Sequence, residues 1–331
     1  MGRMKILVTS RIPEEVLSFI KKVYEVEENK VDRPMEREML LDSVGEIDGL
    51  LCTVTDRVDA ELMDKAPRLK MIANYGVGYD NIDVKAAAAR GIPVSNTPGV
   101  LTNATADIAL ALILATSRRL VEGDKMTREG RFQFWAPLHF LGRDVTGKIL
   151  GIIGLGRIGK AVARRAKGFD MRILYHNRKR IEMAEEETLG VGYVPLKTLL
   201  SEADFISLHV PLTDETHHMI GREALKLMKP TSYLINTSRG PVVDEKVLLD
   251  ALKEREIAGA GLDVYEDEPR LTPGLKELEN VILLPHVGSA TLETRTKMAQ
   301  LAADNLLAGL RGETPPHCVN CDFIRKTFQR P

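Results

Sequence analysis

Short apolar runs rich in β-branched residues alternate along most of the chain with amphipathic segments of helical spacing. The apolar runs predict strands at Met4–Thr9, Gly49–Val54, Leu69–Asn74, Ile149–Ile153, Arg172–Tyr175, Phe205–His209, Tyr233–Asn236, Gly259–Val264 and Val281–Leu284. The helical segments include Pro13–Lys22, Ile158–Lys167 and Asp244–Glu254, the last with Asp244 as its expected N-cap. Because strands alternate with helices, the pattern predicts parallel sheets covered by helices on both faces.

The punctuation of this pattern predicts two domains. A chain of 331 residues has room for about two domains of roughly 150 residues each. Two glycines and two prolines fall within residues 91–99 and end a first set of strands and helices. A long helix is predicted over Thr102 to Arg128, and a second set of strands begins after Gly147. Another long helix, Ala290–Leu310, lies in the C-terminal part.

Composition excludes several classes of partner. The chain has 46 basic and 47 acidic residues, so its net charge of −1 predicts no nucleic-acid binding. The longest apolar stretch, Ile108–Ala115, is shorter than the ~20 residues of a membrane span, so we expect no membrane association. This stretch is apolar on nearly every side, which favours its burial by subunit association. No targeting segment is visible, and we expect a cytoplasmic protein.

The cysteines predict neither a disulfide framework nor a metal site. There are three, Cys52, Cys318 and Cys321, an odd number that is typical of a reducing compartment. Cys318 and Cys321 form a C-x-x-C pair, and even with the neighbouring His317 the set is one ligand short of a structural zinc site. We therefore expect no metal and two free thiols in the C-terminal tail.

One glycine-rich loop has the spacing of a dinucleotide-binding turn. Gly154-Leu155-Gly156-Arg157-Ile158-Gly159 matches G-x-G-x-x-G between a predicted strand and a predicted helix. The first glycine allows the tight turn, the second leaves room for a pyrophosphate, and the third lets the helix pack closely on the strand. The N-terminal N–H groups of the helix would then face the anion. The alternative is a turn that binds nothing.

The second strand of this set ends in a basic loop. An NAD site usually places an acid about 20 residues after the glycine loop, where it accepts from the adenosine 2′-OH. Here the strand is followed by His176-Asn177-Arg178-Lys179-Arg180, and the next acid is Glu182. Arginine and lysine attract a 2′-phosphate, so the loop favours NADP(H) as cofactor and leaves NAD(H) as the alternative. A basic loop that is merely solvated is the other interpretation.

Three polar residues follow the ends of predicted strands in the same set. Arg239 comes after Tyr233–Asn236, Glu268 after Gly259–Val264, and His286 after Val281–Leu284. In a doubly wound sheet, ligands bind outside the carboxyl ends of the strands, so the three side chains are predicted to converge.

Together these motifs resemble the D-2-hydroxyacid dehydrogenase family, and within it the glyoxylate/hydroxypyruvate reductase branch. The resemblance covers essentially the whole chain, through Ala73–Asp83, Gly151–Gly159, Asn236–Gly240, Gly261–Pro269 and Pro285–Thr291. It implies an α/β fold of two Rossmann-like, doubly wound parallel-sheet domains with a cleft between them. The dinucleotide-binding domain would span residues 99–286, and a discontinuous substrate domain residues 1–98 plus 287–331. The family is usually homodimeric.

The resemblance also implies the chemistry, the reversible transfer of a hydride between a nicotinamide and a small 2-oxo acid. His286 would be the general acid, and Glu268 would orient its ring and favour its protonated form. Arg239 would bind the substrate carboxylate. Backbone N–H groups at Val77 and Gly78 would bind the same carboxylate, and Val54 would bound a small substituent. Family cofactor contacts map to Thr105, Val210, Pro211, Thr237, Ser238, Asp263 and Gly288.

Some alternatives stay open. Within the family, the substrate could be D-lactate, phosphoglycerate or formate, although no residues remain for an added regulatory domain. A dinucleotide-sensing co-repressor or scaffold on the same fold is an alternative of another class. In residues 130–144, an aromatic residue can reach the partner's active site in this branch. For Trp135, the chain's only tryptophan, core packing is the simpler role.

Overall fold

The computed structural model describes residues 3–328, with side chains through residue 324. The chain divides into two compact units. One comprises the residues up to Leu101 together with those from Thr291 onward, and the other is Thr102–Ala290. Both units contain a wholly parallel sheet with helices, as the alternating pattern predicts.

The first unit is built on five strands in the order β2-β1-β3-β4-β5. The strands are β1 (Lys5–Val8), β2 (Glu25–Glu28), β3 (Gly49–Thr53), β4 (Met71–Tyr75) and β5 (Val94–Ser95). The helices are α1 (Glu14–Lys21), α2 (Arg37–Ser43), α3 (Ala60–Asp64) and α4 (Val84–Ala89), and from the C-terminal part α12 (Leu292–Leu310) and α13 (Cys321–Phe328).

Helix α12 packs on the sheet of the first unit through two glycines. A Cβ on Gly309 would lie 2.5 Å from the sulfur of Met71, and a Cβ on Gly49 would lie 3.1 Å from Leu306 and Leu310. This close approach of helix and sheet holds the C-terminal part of the chain in the first unit.

The second unit contains seven strands in the order β12-β11-β10-β9-β6-β7-β8. The strands are β6 (Ile149–Ile153), β7 (Arg172–His176), β8 (Val191–Tyr193), β9 (Phe205–Leu208), β10 (Tyr233–Asn236), β11 (Gly259–Leu262) and β12 (Val281–Leu283). The helices are α5 (Thr102–Ser117), α6 (Leu120–Arg128), α7 (Arg157–Ala166), α8 (Met183–Leu189), α9 (Leu196–Glu202), α10 (Arg222–Leu227) and α11 (Glu245–Lys253). Asp244 caps α11 as predicted, since its carboxylate accepts from the N–H of Val247.

Three strands have no counterpart among the predicted ones. They are β2, β5 and β8, of four, two and three residues. β2 alternates acidic residues with one valine and is half exposed at the sheet edge, so it lacks the apolar run used to predict strands. β5 and β8 are too short to produce a pattern.

The helix predicted over Thr102 to Arg128 is wrong as one element. It breaks into α5 and α6 at Arg119, whose φ of 55° lies in the left-handed region. The end of α5 is covered by an approaching loop, because the N–H of Arg143 donates to the Ser117 carbonyl at 2.8 Å. Gly142 allows this approach, since a Cβ there would lie 2.6 Å from the same oxygen.

Helix α5 is buried mostly within its own unit. Ala109, Leu112 and Ile113 are fully buried in the cluster formed with β6, β7 and α7, and Ile108 and Leu114 are partly buried against it. Its apolar composition therefore needs no second subunit, and the reason given for subunit burial of this helix is wrong. Several exposed apolar side chains lie in the loop after α6, where Trp135 is 79% exposed and so is not packed in a core.

The expectation of free thiols in the tail is also wrong, because Cys318 and Cys321 form a disulfide. The bridged turn is anchored to β5: Val319 donates its N–H to the Val94 carbonyl, and the buried Asn320 side chain bonds Val94 N–H and Ile92 C=O. Spacing allowed this pairing, but the odd cysteine count favoured thiols. Cys52 is buried in the core, which raises the pKa of its thiol.

Membrane-spanning helices and metal-ligand clusters are both absent from residues 3–328. No helix in that range is long and apolar enough to span a bilayer. Nor does that range contain a group of three or more His, Cys, Asp or Glu side chains that could hold a metal ion.

Candidate functional site

The glycine loop lies where the strand order of the second unit reverses. The chain leaves β6 toward β7 on one side and later returns to β9 on the other side. Ligands of doubly wound sheets bind at the carboxyl ends of the strands at such a switch point. Gly154, directly after β6, contacts the chain directly after β9, since a Cβ on it would lie 2.6 Å from the His209 carbonyl oxygen.

The three glycines of the loop have three different surroundings. Gly154 has φ +98°, a conformation that favours glycine. A Cβ on Gly159 would lie 2.4 Å from the Gly154 oxygen, so only glycine lets α7 approach β6 this closely. A Cβ on Gly156, the N-cap of α7, would meet nothing within 4 Å. The space in front of the helix N-terminus is therefore open, as a pyrophosphate requires.

The basic loop after β7 is braced by a buried carboxylate. Glu186 accepts from Tyr175 and from two guanidinium nitrogens of Arg180, at 2.7 and 2.6 Å from the latter. The hydrogen bonds from Arg180 and Tyr175 hold the pKa of Glu186 at about 2. Arg180 is therefore neutralised by a partner, whereas Arg178 and Lys179 are exposed.

Asn177 connects this basic loop to the glycine loop. Its side-chain oxygen accepts from the Leu155 N–H at 2.6 Å. The residue predicted to contact the adenosine ribose thus also holds the turn that is predicted to bind the pyrophosphate. The amide group keeps its two N–H donors for other partners.

A buried asparagine shapes the turn that carries Arg239. Asn236, at the end of β10, accepts from the N–H and hydroxyl of Ser238 and donates to the carbonyl of Arg239 at 2.9 Å. Gly240 then packs against the next strand end, because a Cβ there would lie 1.8 Å from the carbonyl of Tyr265. Arg239 itself is partly buried, and its guanidinium donates to the Ser238 carbonyl at 2.9 Å.

His286 and Glu268 form the pair that the sequence predicts. His286 Nδ1 lies 2.9 Å from Glu268 Oε2, and the two side chains are 34% and 31% exposed. Burial opposes the charge of Glu268, but the His286 bond, the N–H of Tyr265 and the charge of Arg239 together lower the pKa of its carboxyl. The structure therefore brings Arg239, Glu268 and His286 to one group at the carboxyl ends of β10, β11 and β12.

Asp263 fixes the turn that carries His286. Its two carboxylate oxygens accept from the N–H groups of Val287 and Gly288, both at 2.7 Å. Burial raises the pKa of Asp263, and those two bonds oppose the rise. His286 itself has a φ of 54°, so the turn holds a left-handed residue that rarely forms without such support.

The other predicted cofactor contacts lie around these turns. Gly288 approaches Asp263 and Thr105, since a Cβ there would lie 3.1 Å from the former and 3.4 Å from the latter. Val210 lies against Gly154, and Pro211 follows it on the exposed surface. Thr237 is buried, and its hydroxyl has no hydrogen-bond partner. An orphaned hydroxyl and the open space at Gly156 both fit a polar ligand that binds along this edge.

The predicted substrate residues of the first unit share one loop. Asn96 donates to the carbonyl of Val77 at 2.7 Å, and Asn74 donates to that of Gly78 at 2.6 Å. Val54 packs on the same loop, because a Cβ on Gly76 would lie 2.4 Å from its methyl. The loop after β4 is thus held by its carbonyls, which leaves its N–H groups as the natural donors toward an anion.

Sequence reasoning missed the residues that hold these loops in place. Asn74, Asn96 and Asn236 were predicted only as parts of motifs, and Asp263 only as a cofactor contact. Each follows or ends a strand and bonds the backbone of a turn. An Asn or Asp just after an apolar run is the signal that could have identified them.

Comparisons with known proteins show the family of this chain. The family model of the D-isomer specific 2-hydroxyacid dehydrogenase NAD binding domain matches residues 110–288. A glyoxylate reductase of Thermococcus litoralis is 56% identical over 324 residues, 97% of this chain and 98% of that protein. A glyoxylate reductase of Korarchaeum cryptofilum is 54% identical over 97% of both chains.

A solved structure is similar over the same length. It is the NADPH-dependent glyoxylate/hydroxypyruvate reductase of Sinorhizobium meliloti in complex with NADP and malonate. The TM-score is 0.84 at 37% sequence identity, and the match covers 96% of this chain and 97% of that one.

Proposed function

This chain belongs to the family of D-isomer specific 2-hydroxyacid dehydrogenases, and we propose that it reduces glyoxylate and hydroxypyruvate with NADPH. The family predicted from the motifs is thereby confirmed. The cofactor is a nicotinamide dinucleotide and the substrate a small 2-oxo acid. The observation that carries the reaction is the 2.9 Å contact between His286 and Glu268 beside Arg239.

The side chains divide the chemistry of reduction among them. A bound reduced nicotinamide supplies the hydride. His286, as imidazolium, donates the proton that the carbonyl oxygen needs as it becomes an alkoxide. Glu268 holds the ring through Nδ1 and directs Nε2 toward the substrate. Arg239 binds the substrate carboxylate and polarises the carbonyl, because its planar fork can make two parallel bonds. Val54, Val77 and Gly78 remain the predicted substrate residues of the first unit.

The glycine loop and its neighbours would hold the cofactor. The open space at Gly156 would take the pyrophosphate, bonded by the N–H groups of the first turn of α7. The unpartnered hydroxyl of Thr237 would gain a hydrogen bond from the bound dinucleotide.

The reaction is tested by the loss of NADPH absorbance after a 2-oxo acid is added. The acids are glyoxylate, hydroxypyruvate, pyruvate (the oxo acid of D-lactate) and phosphohydroxypyruvate (the oxo acid of phosphoglycerate). We expect the first two to have the highest kcat/KM. His286→Ala should lower kcat by a factor of about 10² to 10⁴, while the dissociation constant of NADPH stays within about twofold. A wild-type chain that binds NADPH but oxidises it with none of these acids would be the co-repressor or scaffold instead.

The preference for NADPH rests on the loop after β7. Within the described residues, neither Arg178 nor Lys179 makes an ion pair, so both charges are available to a 2′-phosphate.

The coenzyme preference has a matched control, an arginine at the start of the strand that the basic loop follows. Arg178→Ser should lower kcat/KM for NADPH by about ten- to a hundredfold, because a charge-assisted bond to the 2′-phosphate is lost. The kcat/KM for NADH should stay within about twofold of the wild-type value. Arg172→Ser removes an exposed arginine from the other end of β7 and should change neither value. Tighter use of NADH by the wild type, or equal losses for both coenzymes in Arg178→Ser, would refute the preference.

The chain forms a homodimer through the loop after α6. This loop, from residue 131 to 144, exposes several large apolar side chains: Phe132, Phe134, Trp135, Leu138 and Leu141. A contiguous apolar group of this size on a monomer usually marks an interface. We take a second copy of this chain as the partner, because a two-fold dimer brings the same apolar patch of both copies together.

A further inference from the structure

A second histidine–glutamate pair lies next to the first, and a single residue separates the two glutamates in the chain. His218 Nε2 is 2.8 Å from Glu266 Oε1, and Glu266 stands two positions before Glu268. The side chains of His218 and Glu266 are 34% and 31% exposed, which matches the exposure of His286 and Glu268. No motif in the sequence points to this contact.

Glu266 is held from every side. Its second oxygen accepts from the N–H of Glu245 at 3.1 Å, and its own N–H donates to the carboxylate of Glu245 at 3.0 Å. Glu245 is 3% exposed, and its other oxygen accepts from Thr272. The segment before Glu268 is thus tied to the first turn of α11 on one side and to the His218 ring on the other.

His218 also joins the turn that follows Arg239. Its N–H donates to the Pro241 carbonyl at 2.8 Å, and Ile220 continues the pairing with Val242 at 3.0 Å. The backbone of His218 has a φ of 51°, a left-handed conformation that non-glycine residues rarely adopt. This conformation places one residue in contact with both strand ends that carry the predicted catalytic groups.

We propose that His218 is a positioning residue: through its Nε2 bond to Glu266, it fixes the backbone from which Glu268 reaches His286. The two contacts meet on adjacent residues, because Tyr265 donates its N–H to Glu268 Oε1 while the side chain of the next residue, Glu266, bonds His218. Loss of the His218 bond frees the Glu266 side chain, loosens the backbone of Tyr265 and Glu266, and weakens the orientation of the Glu268 carboxylate. The inference rests on the function proposed above.

Two substitutions at position 218 distinguish the effect of losing the hydrogen bond to Glu266 from an effect on folding. The Gln side chain places an N–H donor where His Nε2 lies, whereas the shorter Asn side chain does not reach, although Asn tolerates the left-handed backbone. We expect His218→Asn to lower kcat with glyoxylate by about tenfold and leave KM within twofold, because the loss lies in orientation and not in substrate binding. His218→Gln should retain kcat within about twofold.

The controls exclude a merely structural role. His217→Asn removes the ring that stacks on His218, with ring centroids 4.0 Å apart. His217 does not bond Glu266, so this variant should leave kcat unchanged. The free energy of unfolding should be equal in the two variants at position 218. In a Glu268→Gln background, His218→Asn should cost less than twofold in kcat, since the route through Glu268 is already broken. Independent, multiplied losses would overturn the proposal.

A crystal structure of each variant tests the inference without any turnover. The distance from His286 Nδ1 to Glu268 Oε2 should stay near 2.9 Å in His218→Gln and exceed 3.5 Å in His218→Asn. An unchanged distance in His218→Asn overturns the positioning role whatever the activity. Failure of the wild type to reduce glyoxylate would instead refute the proposed function and leave this structural readout valid.

Discussion

Individual residues at the site owe their properties to neighbours distant in the chain. The pKa of Glu268 lies below its ordinary value, because His286, the Tyr265 N–H and Arg239 favour its anion over the opposing effect of burial. A carboxyl with a lowered pKa stabilises the fold above its ordinary pKa, and this contribution is lost as the pH falls through the lowered value. At neutral pH Glu268 is therefore a carboxylate.

Replacing that carboxylate should move the pH dependence of the reaction. In Glu268→Gln the neutral amide no longer favours the imidazolium of His286, so the ring loses its proton at a lower pH. We expect the alkaline limit of kcat/KM for glyoxylate reduction to move down by about one pH unit. The measurement is a pH–rate profile with saturating NADPH.

A carboxylate of the same loop provides the control for that profile. Asp267 bonds Arg270, which lowers its pKa, and does not touch His286. Asp267→Asn should therefore leave the alkaline limit where the wild type has it. If Glu268→Gln also left it unchanged, the pairing of Glu268 with His286 would have no role in the reaction.

At the scale of elements, the glycine loop joins a strand to a helix. Substitutions at its different glycines should have different effects on stability. Gly159→Ala should destabilise the protein by about 1–3 kcal/mol, because the new methyl group meets the Gly154 carbonyl. Gly156→Ala should keep the free energy of unfolding within about 0.5 kcal/mol, since open space receives its methyl group.

The same two variants separate packing from binding. Gly156→Ala should raise the dissociation constant of NADPH by at least about tenfold, because the new methyl group fills the space that we assign to the pyrophosphate. Urea denaturation and fluorescence titration with NADPH measure the two effects. A Gly156→Ala variant that binds NADPH like the wild type would place the pyrophosphate elsewhere.

The bridged turn before α13 is a second element with a measurable energy. The disulfide closes a ring of four residues, for which loop closure predicts a contribution of about 2 kcal/mol. Cys318→Ser should lose this amount in urea denaturation without reductant. Dithiothreitol should lower the stability of the wild type by a similar amount and leave the variant unchanged, whereas an equal response of both would contradict a bridge.

At the scale of the whole molecule, the proposed homodimer accounts for the apolar loop after α6. Sedimentation equilibrium should give twice the 36.7 kDa of one chain. A double variant, Trp135→Glu with Leu138→Glu, should sediment as one chain, because two charges cannot be buried in an apolar contact without a large cost. Met183→Glu, at an exposed apolar residue outside this loop, should remain dimeric. A monomeric wild type would refute the homodimer.

Local patterns were enough to predict most strands and the chemistry of the strand ends. The runs at Ile149–Ile153 and Tyr233–Asn236 match β6 and β10 at both ends, because a buried parallel strand is apolar throughout. The spacing of Gly154, Gly156 and Gly159 is likewise local, since one turn imposes all three conditions. Each of these signals lies within about ten residues of chain.

The structure alone decided what depends on residues far apart in the chain. The break at Arg119 follows from a loop that reaches Ser117, and the exposure of Trp135 follows from the path of that loop. The pairing of Cys318 with Cys321 needed the turn that β5 anchors. The His218–Glu266 bond joins residues 48 positions apart, and no periodicity records such a contact. Periodicity reports which face of an element is buried, whereas packing decides which other element covers it.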